Sequence, residues 1–263
     1  MTNKNFSHRA RKRFGQNFLT DTSIIEKIVK AISAKPSDKI IEIGPGQGAL
    51  TELLLTSDAE LHAIEIDRDL AAFLREKYAN ISHFHLHEED VLKVDFSSLL
   101  SAEQPARIIG NLPYNISTPL IFHLLKYLAG VKDMLFMLQL EVVERMAAVP
   151  GSKSYGRLSI MVQYYCQVEK LFNVPSSAFS PAPKVESAIV KLTPLKQTAN
   201  ELESPEQLTN LLRQAFAQRR KTLRNNLSSL ISAEELENLG INPGLRPENL
   251  SLDDYVKICK HLH

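Results

Sequence analysis

From residue 39 onward, short apolar runs alternate with helix-patterned stretches, and that alternation leaves few folds open to the chain. The runs "KIIEI", "ELHAIEI", "HFHLH", "ARIIGN" and "MLFMLQL" have the length and content of strands. Between them, "LTELLLT" and "RDLAAFLREKYA" carry amphipathic helical spacing. Strands alternating with helices build βαβ units, so the expected class is α/β, a mostly parallel sheet with helices on both faces. Ligands of such sheets sit outside the carboxyl ends of the strands. The residues just after each apolar run are therefore the candidates for function.

Beyond residue 150 the pattern changes. "GSKSYGR" reads as a polar loop, "LSIMVQYY" as a helix, and "EKLFNV" and "ESAIVKL" as two further strands, an antiparallel edge pair around the proline-rich "PSSAFSPAPK". From Thr193, "TPLKQTANELESPE" reads as a linker, and the rest is helical with breaks at "GINPGLRP". Two domains are expected, 1–195 and 196–263.

Charge is nearly balanced, with 31 Lys and Arg against 30 Asp and Glu, so only its distribution bears on partners. "MTNKNFSHRARKR" and "RQAFAQRRKTLR" each hold five basic residues and no acid. On a helix, Arg220 and Arg224 of the second run would stand one turn apart and neutralise phosphates without reading sequence. The two cysteines, Cys166 and Cys259, form no CxxC, which excludes a disulfide framework and fits a reducing cytoplasm. The basic N-terminus lacks the apolar core of a signal peptide. His83, His85 and His87 share one strand face, but no fourth ligand is evident beyond Glu88 or Glu89; they read as the polar face of a strand, and no metal is expected.

The first strand runs into "EIGPGQGALT", where Gly44, Gly46 and Gly48 alternate before a helix. Glycines let backbone amides approach a ligand closely and let the chain turn from strand to helix. The GxGxG spacing led by Glu42 departs from the GxGxxG that seats a pyrophosphate, and suits a cofactor with an amine or a positive charge. A plain tight turn is the bland reading of this loop alone. The second strand ends in Glu65, 21 residues after Gly44, the spacing of an acid that holds ribose hydroxyls. Asp90, in "EED", can accept from an exocyclic adenine amine. The fourth strand delivers "GNLPY" at 110–114. Hydrogen bonds from a nucleobase amine to the Asn111 side-chain carbonyl and the Leu112 backbone carbonyl would favour its pyramidal, nucleophilic form. Pro113 would fix the direction of that carbonyl, and Tyr114 would stack on the base.

"GQNFL", "EIGPGQGALT", "EIDRDL", "EED", "GNLPYNISTPL" and "FSPAPKVESAIVKL", in this order, resemble the ribosomal RNA adenine N6,N6-dimethyltransferase family, in its small-subunit branch, from about residue 9 to the end. The resemblance implies a Rossmann-like methyltransferase domain using S-adenosyl-L-methionine, and a small helical RNA-binding C-terminal domain. It implies as substrate two adjacent adenosines in the hairpin loop near the 3′ end of small-subunit RNA, within an assembling subunit; a monomer is the default expectation, and the location expected from cysteine usage is cytoplasmic. It assigns Asn17 and Leu19 to a lid over the cofactor, Gly44 to a close backbone contact, Glu65 to the ribose and Asp90 to the cofactor adenine. Asn111 would lie between methyl donor and target base, with Leu112 beside it, and Tyr114 and Phe179 would sandwich the target adenine. Arg219, Arg220, Lys221 and Arg224 are the expected RNA contacts. Three rival readings are methylation of a large-subunit adenosine, an assembly factor with secondary catalysis, and a nicotinamide-dependent oxidoreductase. The glycine spacing and "NLPY" disfavour the last.

Overall fold

The computed structural model describes Arg11, residues 15–196, Leu202, residues 204–218 and residues 220–262. The chain divides into two compact units, Met1–Val143 with Glu169–Pro194, and Glu144–Val168 with Leu195–His263.

In the first unit the chain passes through β1 (Phe18–Leu19), α1 (Thr22–Ile32), β2 (Lys39–Ile43), α2 (Ala49–Leu54), β3 (Glu60–Glu65), α3 (Arg68–Lys77) and β4 (Phe84–Glu88). It continues through β5 (Ala106–Asn111), α4 (Ser117–Leu124) and β6 (Val131–Gln139). After the helices α5 (Leu140–Met146) and α6 (Arg157–Tyr165) come β7 (Cys166–Val174), β8 (Phe179–Ser180) and β9 (Ser187–Pro194). Seven strands form one sheet in the order β4-β3-β2-β5-β6-β9-β7, while β1 and β8 make a separate antiparallel pair. The first five sheet strands are parallel, and β9 runs antiparallel to β6. Between β2 and β5 the strand order reverses, which opens a crevice at their carboxyl ends. Gly44 and Asn111 stand at that point.

Strands covered on both faces need apolar residues throughout, and β2 and β5 are buried along nearly their whole length. α1 buries Ile25, Ile28 and Ile32 on one stripe, with Asp21 capping its N-terminus by accepting from the Ser23 and Ile24 amides. Away from the crevice, Arg107 of β5 is only 6% exposed and forks onto Asp133 of β6 through Nε and Nη2, at 2.8 and 3.0 Å. Its Nη1 reaches Asp38 at 3.3 Å, and Asp38 also accepts from Lys132 at 2.7 Å. This charged cluster joins the start of β2 to β5 and β6.

The second unit holds α6, α7 (Pro205–Ala215), α8 (Leu223–Asn226), α9 (Ala233–Asn238) and α10 (Leu252–Leu262), with α6, α7 and α10 packed together. Leu208, Leu212, Leu223, Leu236, Tyr255 and Ile258 are buried there. Two expectations change. Residues 144–168, read as part of the first domain, cluster with the C-terminal helices, because α6 packs on α7 and α10. The basic run is also not one helix: α7 ends at Ala215, Arg220 and Lys221 lie in a turn, and only Arg224 is in α8. The cause is Asn226, whose buried Nδ2 donates to the carbonyls of Ala215, Gln218 and Lys221 at 2.8, 3.2 and 3.4 Å, holding the turn that breaks the helix. Arg219 and the first basic run, apart from Arg11, lie outside the described residues. Both cysteines are free and buried, and among the described residues no helix is long and apolar enough to cross a membrane.

Candidate active site

At the carboxyl end of the sheet a cavity of about 290 Å³ gathers residues from five segments of the first unit. Asn17, Leu19, Gly44, Glu65, Asp90, Asn111, Leu112 and Tyr114 all line it. Its volume lies near the lower end of the roughly 300–1,000 Å³ of small-molecule sites.

Its floor is the loop after β2. Gly44 and Gly46 have φ of 64° and 58°, a left-handed backbone that side chains disfavour. A Cβ on Gly46 would also stand 3.2 Å from the Phe18 ring. The Gly46 amide donates to Glu65 Oε2 at 3.1 Å, and the Asp67 amide to Glu65 Oε1 at 2.9 Å. Two backbone donors thus fix the Glu65 carboxylate at the end of β3. Burial, at 5% exposure, nevertheless pushes its pKa upward. Glu42 is more enclosed still, 2% exposed; burial raises its carboxyl to about 7, against the opposing hydrogen bond from Thr51 Oγ1 at 2.6 Å. Two acids therefore flank the glycine loop. Asp90 follows β4 and accepts from the Leu92 amide at 3.1 Å.

Opposite stands the turn after β5. Asn111 donates from Nδ2 to the Asn17 carbonyl at 3.0 Å, which leaves Oδ1 as an acceptor with no partner among the described residues. Leu112 is buried, its amide donating to the Met137 carbonyl at 3.2 Å. The Tyr114 hydroxyl meets Ser187 Oγ at 2.8 Å, which fixes the ring at its far end.

Residues 15–19 complete the wall, and β1 pairs Leu19 with Phe179. Gln16 Nε2 donates to Asp67 Oδ2 at 3.0 Å, and Arg11 pairs with Asp67 at 2.9 Å and with Asp69. The Arg11 charge is thus engaged by acids of its own domain, a contact that the basic run alone did not reveal.

Phe179 is the residue expected on the second face of the base. It is 5% exposed, belongs to the apolar core cluster with Leu19, and does not line the cavity. Conversely, Ile66 lines the cavity with 44% exposure although it was not singled out in the sequence. Its signal was available, an apolar residue between two acids in "EID" at a strand end.

The arrangement can hold a flat, hydroxyl-bearing, positively charged ligand along the β2–β3–β4 ends and a planar amine at the β5 turn. Comparison with known proteins gives the family. The family model for ribosomal RNA adenine dimethylase matches residues 7–263. A ribosomal RNA small subunit methyltransferase A from Marinobacter nauticus is 57% identical over 98% of this chain and 93% of its own length. Among solved structures, a dimethyladenosine transferase from Plasmodium falciparum superposes with a TM-score of 0.79 at 32% identity, covering 92% of this chain and 95% of that one. The 23S rRNA methyltransferase ErmE shares the fold, with a TM-score of 0.71 at 24% identity over 94% and 99% of the two chains. With its class I methyltransferase sheet and a family match across nearly its full length, this chain belongs to the ribosomal RNA adenine dimethylase family.

Proposed function

We propose that the chain dimethylates N6 of two adjacent adenosines in the hairpin loop near the 3′ end of small-subunit ribosomal RNA, with S-adenosyl-L-methionine as methyl donor. The observation that carries this reading is the open Oδ1 of Asn111 on the cavity wall, with the amide turned by its bond to Asn17. An adenine amine is a poor nucleophile because its lone pair is conjugated into the ring. Asn111 Oδ1 and the Leu112 carbonyl accept its two N–H bonds and favour the pyramidal form, while Tyr114 stacks on the base. In this reading Phe179, paired with Leu19 across β1 and β8, closes on the opposite face of the base.

The residues fit the donor: the left-handed glycine loop allows close backbone approach, Glu65 keeps free lone pairs for ribose hydroxyls, and Asp90 is placed for an adenine amine. S-adenosyl-L-methionine, when bound, supplies an electrophilic methyl group on a cationic sulfur. The protein's part is to orient the amine, exclude water and offer acceptors to the donor's hydroxyls at Glu65. Such positioning is worth about 7–11 kcal/mol of barrier. No side-chain nucleophile is needed, and the amine proton leaves after transfer, when the nitrogen is acidic. A once-methylated amine retains its lone pair, so the same clamp serves twice. In the second unit, the exposed Arg220, Lys221 and Arg224, with Arg219, contact RNA phosphates.

The test is transfer of labelled methyl from S-adenosyl-L-methionine to purified small subunits lacking the modification, with large subunits in parallel and the product nucleoside identified by mass. Dimethyladenosine on the small subunit alone supports the reading. Labelling of large subunits, or cofactor binding without transfer, refutes it in favour of one of its rivals.

A further inference from the structure

The histidines of β4 have partners that spacing along a single strand does not reveal. In the β3–β4 ladder His62 stands directly opposite His85, with His87 two residues further on, so side chains 60, 62, 85 and 87 share one face. The His62 ring centroid is 4.7 Å from that of His85 and 5.3 Å from that of His87. His62 Nε2 lies 2.8 Å from Glu60 Oε1, which lies 4.0 Å from His85 Nε2. One donor atom from each of Glu60, His62 and His85 falls within 4.8 Å of the other two, the single such group among the described residues. His83 is not part of it, its Nε2 facing the Leu55 carbonyl at 3.4 Å.

We propose that Glu60, His62 and His85 form a binding site for a divalent transition-metal ion of the zinc type. Two imidazoles and a carboxylate are the ligands such ions take, and three protein ligands leave positions for water. Bonds of about 2.0–2.2 Å around a tetrahedral ion place donors about 3.3–3.6 Å apart. The separations here, from 2.8 to below 4.8 Å, bracket that range. A support for the central ligand is already built. His62 Nδ1 stands 3.0 Å from His87 Nε2, so when Nε2 takes a metal, Nδ1 keeps the ring proton and donates it to His87, the outer contact that fixes a ligating imidazole. Without metal the chain of bonds reverses, with Nε2–H donating to Glu60 and His87 donating to Nδ1. His85, the outer ligand, is exposed, which gives an ion a way in.

β4 is the outermost strand of its sheet, and its neighbour there is β3. An ion bridging Glu60 and His62 to His85 ties the two strands whose ends carry Glu65 and Asp90, and stabilises the folded chain by mass action.

The experiment uses the full-length chain, stripped with chelator and titrated with zinc chloride. Calorimetry should show a saturable site and thermal unfolding a rise in Tm. His85→Ala and, separately, Glu60→Gln should each lower affinity more than about tenfold. Long-range proton–nitrogen NMR should show the His62 ring proton moving from Nε2 to Nδ1 on zinc addition. Absence of saturable binding, unchanged affinity in both variants, which would place zinc on other histidines, or a His62 tautomer indifferent to zinc would each overturn the proposal.

Discussion

Replacing Asn111 with alanine tests the proposed chemistry most directly, because the residue's two functions can be weighed separately. Loss of Nδ2 removes one partly buried hydrogen bond to the Asn17 carbonyl, worth about 0.5–1.5 kcal/mol of stability. For a chain of this size that is a fall in Tm of about 1–6 °C, so the variant should fold. Loss of Oδ1 removes an acceptor whose value appears only as the amine pyramidalises. One polarising group aimed at a transition state is worth about 10²–10³ in rate, or about 2.7–4 kcal/mol. Asn111→Asp sharpens the comparison: it keeps an acceptor at Oδ1 but turns an oxygen toward the Asn17 carbonyl, so it should destabilise the roof of the cavity more than alanine does. Single-turnover transfer of labelled methyl, with cofactor affinity measured by calorimetry on the same samples, separates these effects. Asn111→Ala turning over within threefold of the parent chain, with dimethyladenosine still formed, would refute the clamp.

Other expectations follow from the geometry. Arg107→Met leaves Asp133 and Asp38 buried without their principal cation and should cost about 3–5 kcal/mol in urea unfolding, whereas Arg107→Met combined with Asp133→Leu should recover much of it. Glu42 has a folded pKa raised to about 7, so the native state holds a proton that the unfolded chain releases near 4.5. Its contribution to stability is therefore full at low pH and lost as pH rises through about 7; Glu42→Gln should flatten unfolding free energy between about pH 5 and 7 relative to the parent chain. Arg220→Ala with Arg224→Ala should weaken RNA binding measured against salt and reduce the slope by about 1.4 to 1.8, with cofactor affinity unchanged.

Much of the proposed methyl-donor half of the site is legible from residue order, because parallel strands buried on both faces read as apolar runs and their ends are marked by glycines or acids. "ARIIGN" coincides with β5 residue for residue, and Gly44, Glu65, Asp90 and Asn111 converge simply because strands of one sheet end together. What lies across strands is not legible. Glu60 and His62 join the β4 histidines through ladder register, and the two-residue β1 and β8 are too short to leave a periodic signal. Phe179 reads the same in sequence whether its ring is open or enclosed. Arg220 leaves its expected helix because one amide, at Asn226, competes for the carbonyls the helix would have used.

The roof of the cavity is tied to a part of the chain made much later. Thr20 and Asp21 donate to the Ala178 carbonyl, and Phe18 and Leu19 pair with Ser180 and Phe179. During synthesis at about 5–20 residues per second, some 160 residues, or about 8–30 s, separate the two halves of that pair. On the proposed reading, the β2–β3–β4 ends can offer the methyl donor a partial surface before the segment that anchors their cover has left the translating ribosome. Affinity for the methyl donor should therefore appear in two stages on stalled nascent chains, weak once β5 is out and tight only after Ser180 has emerged.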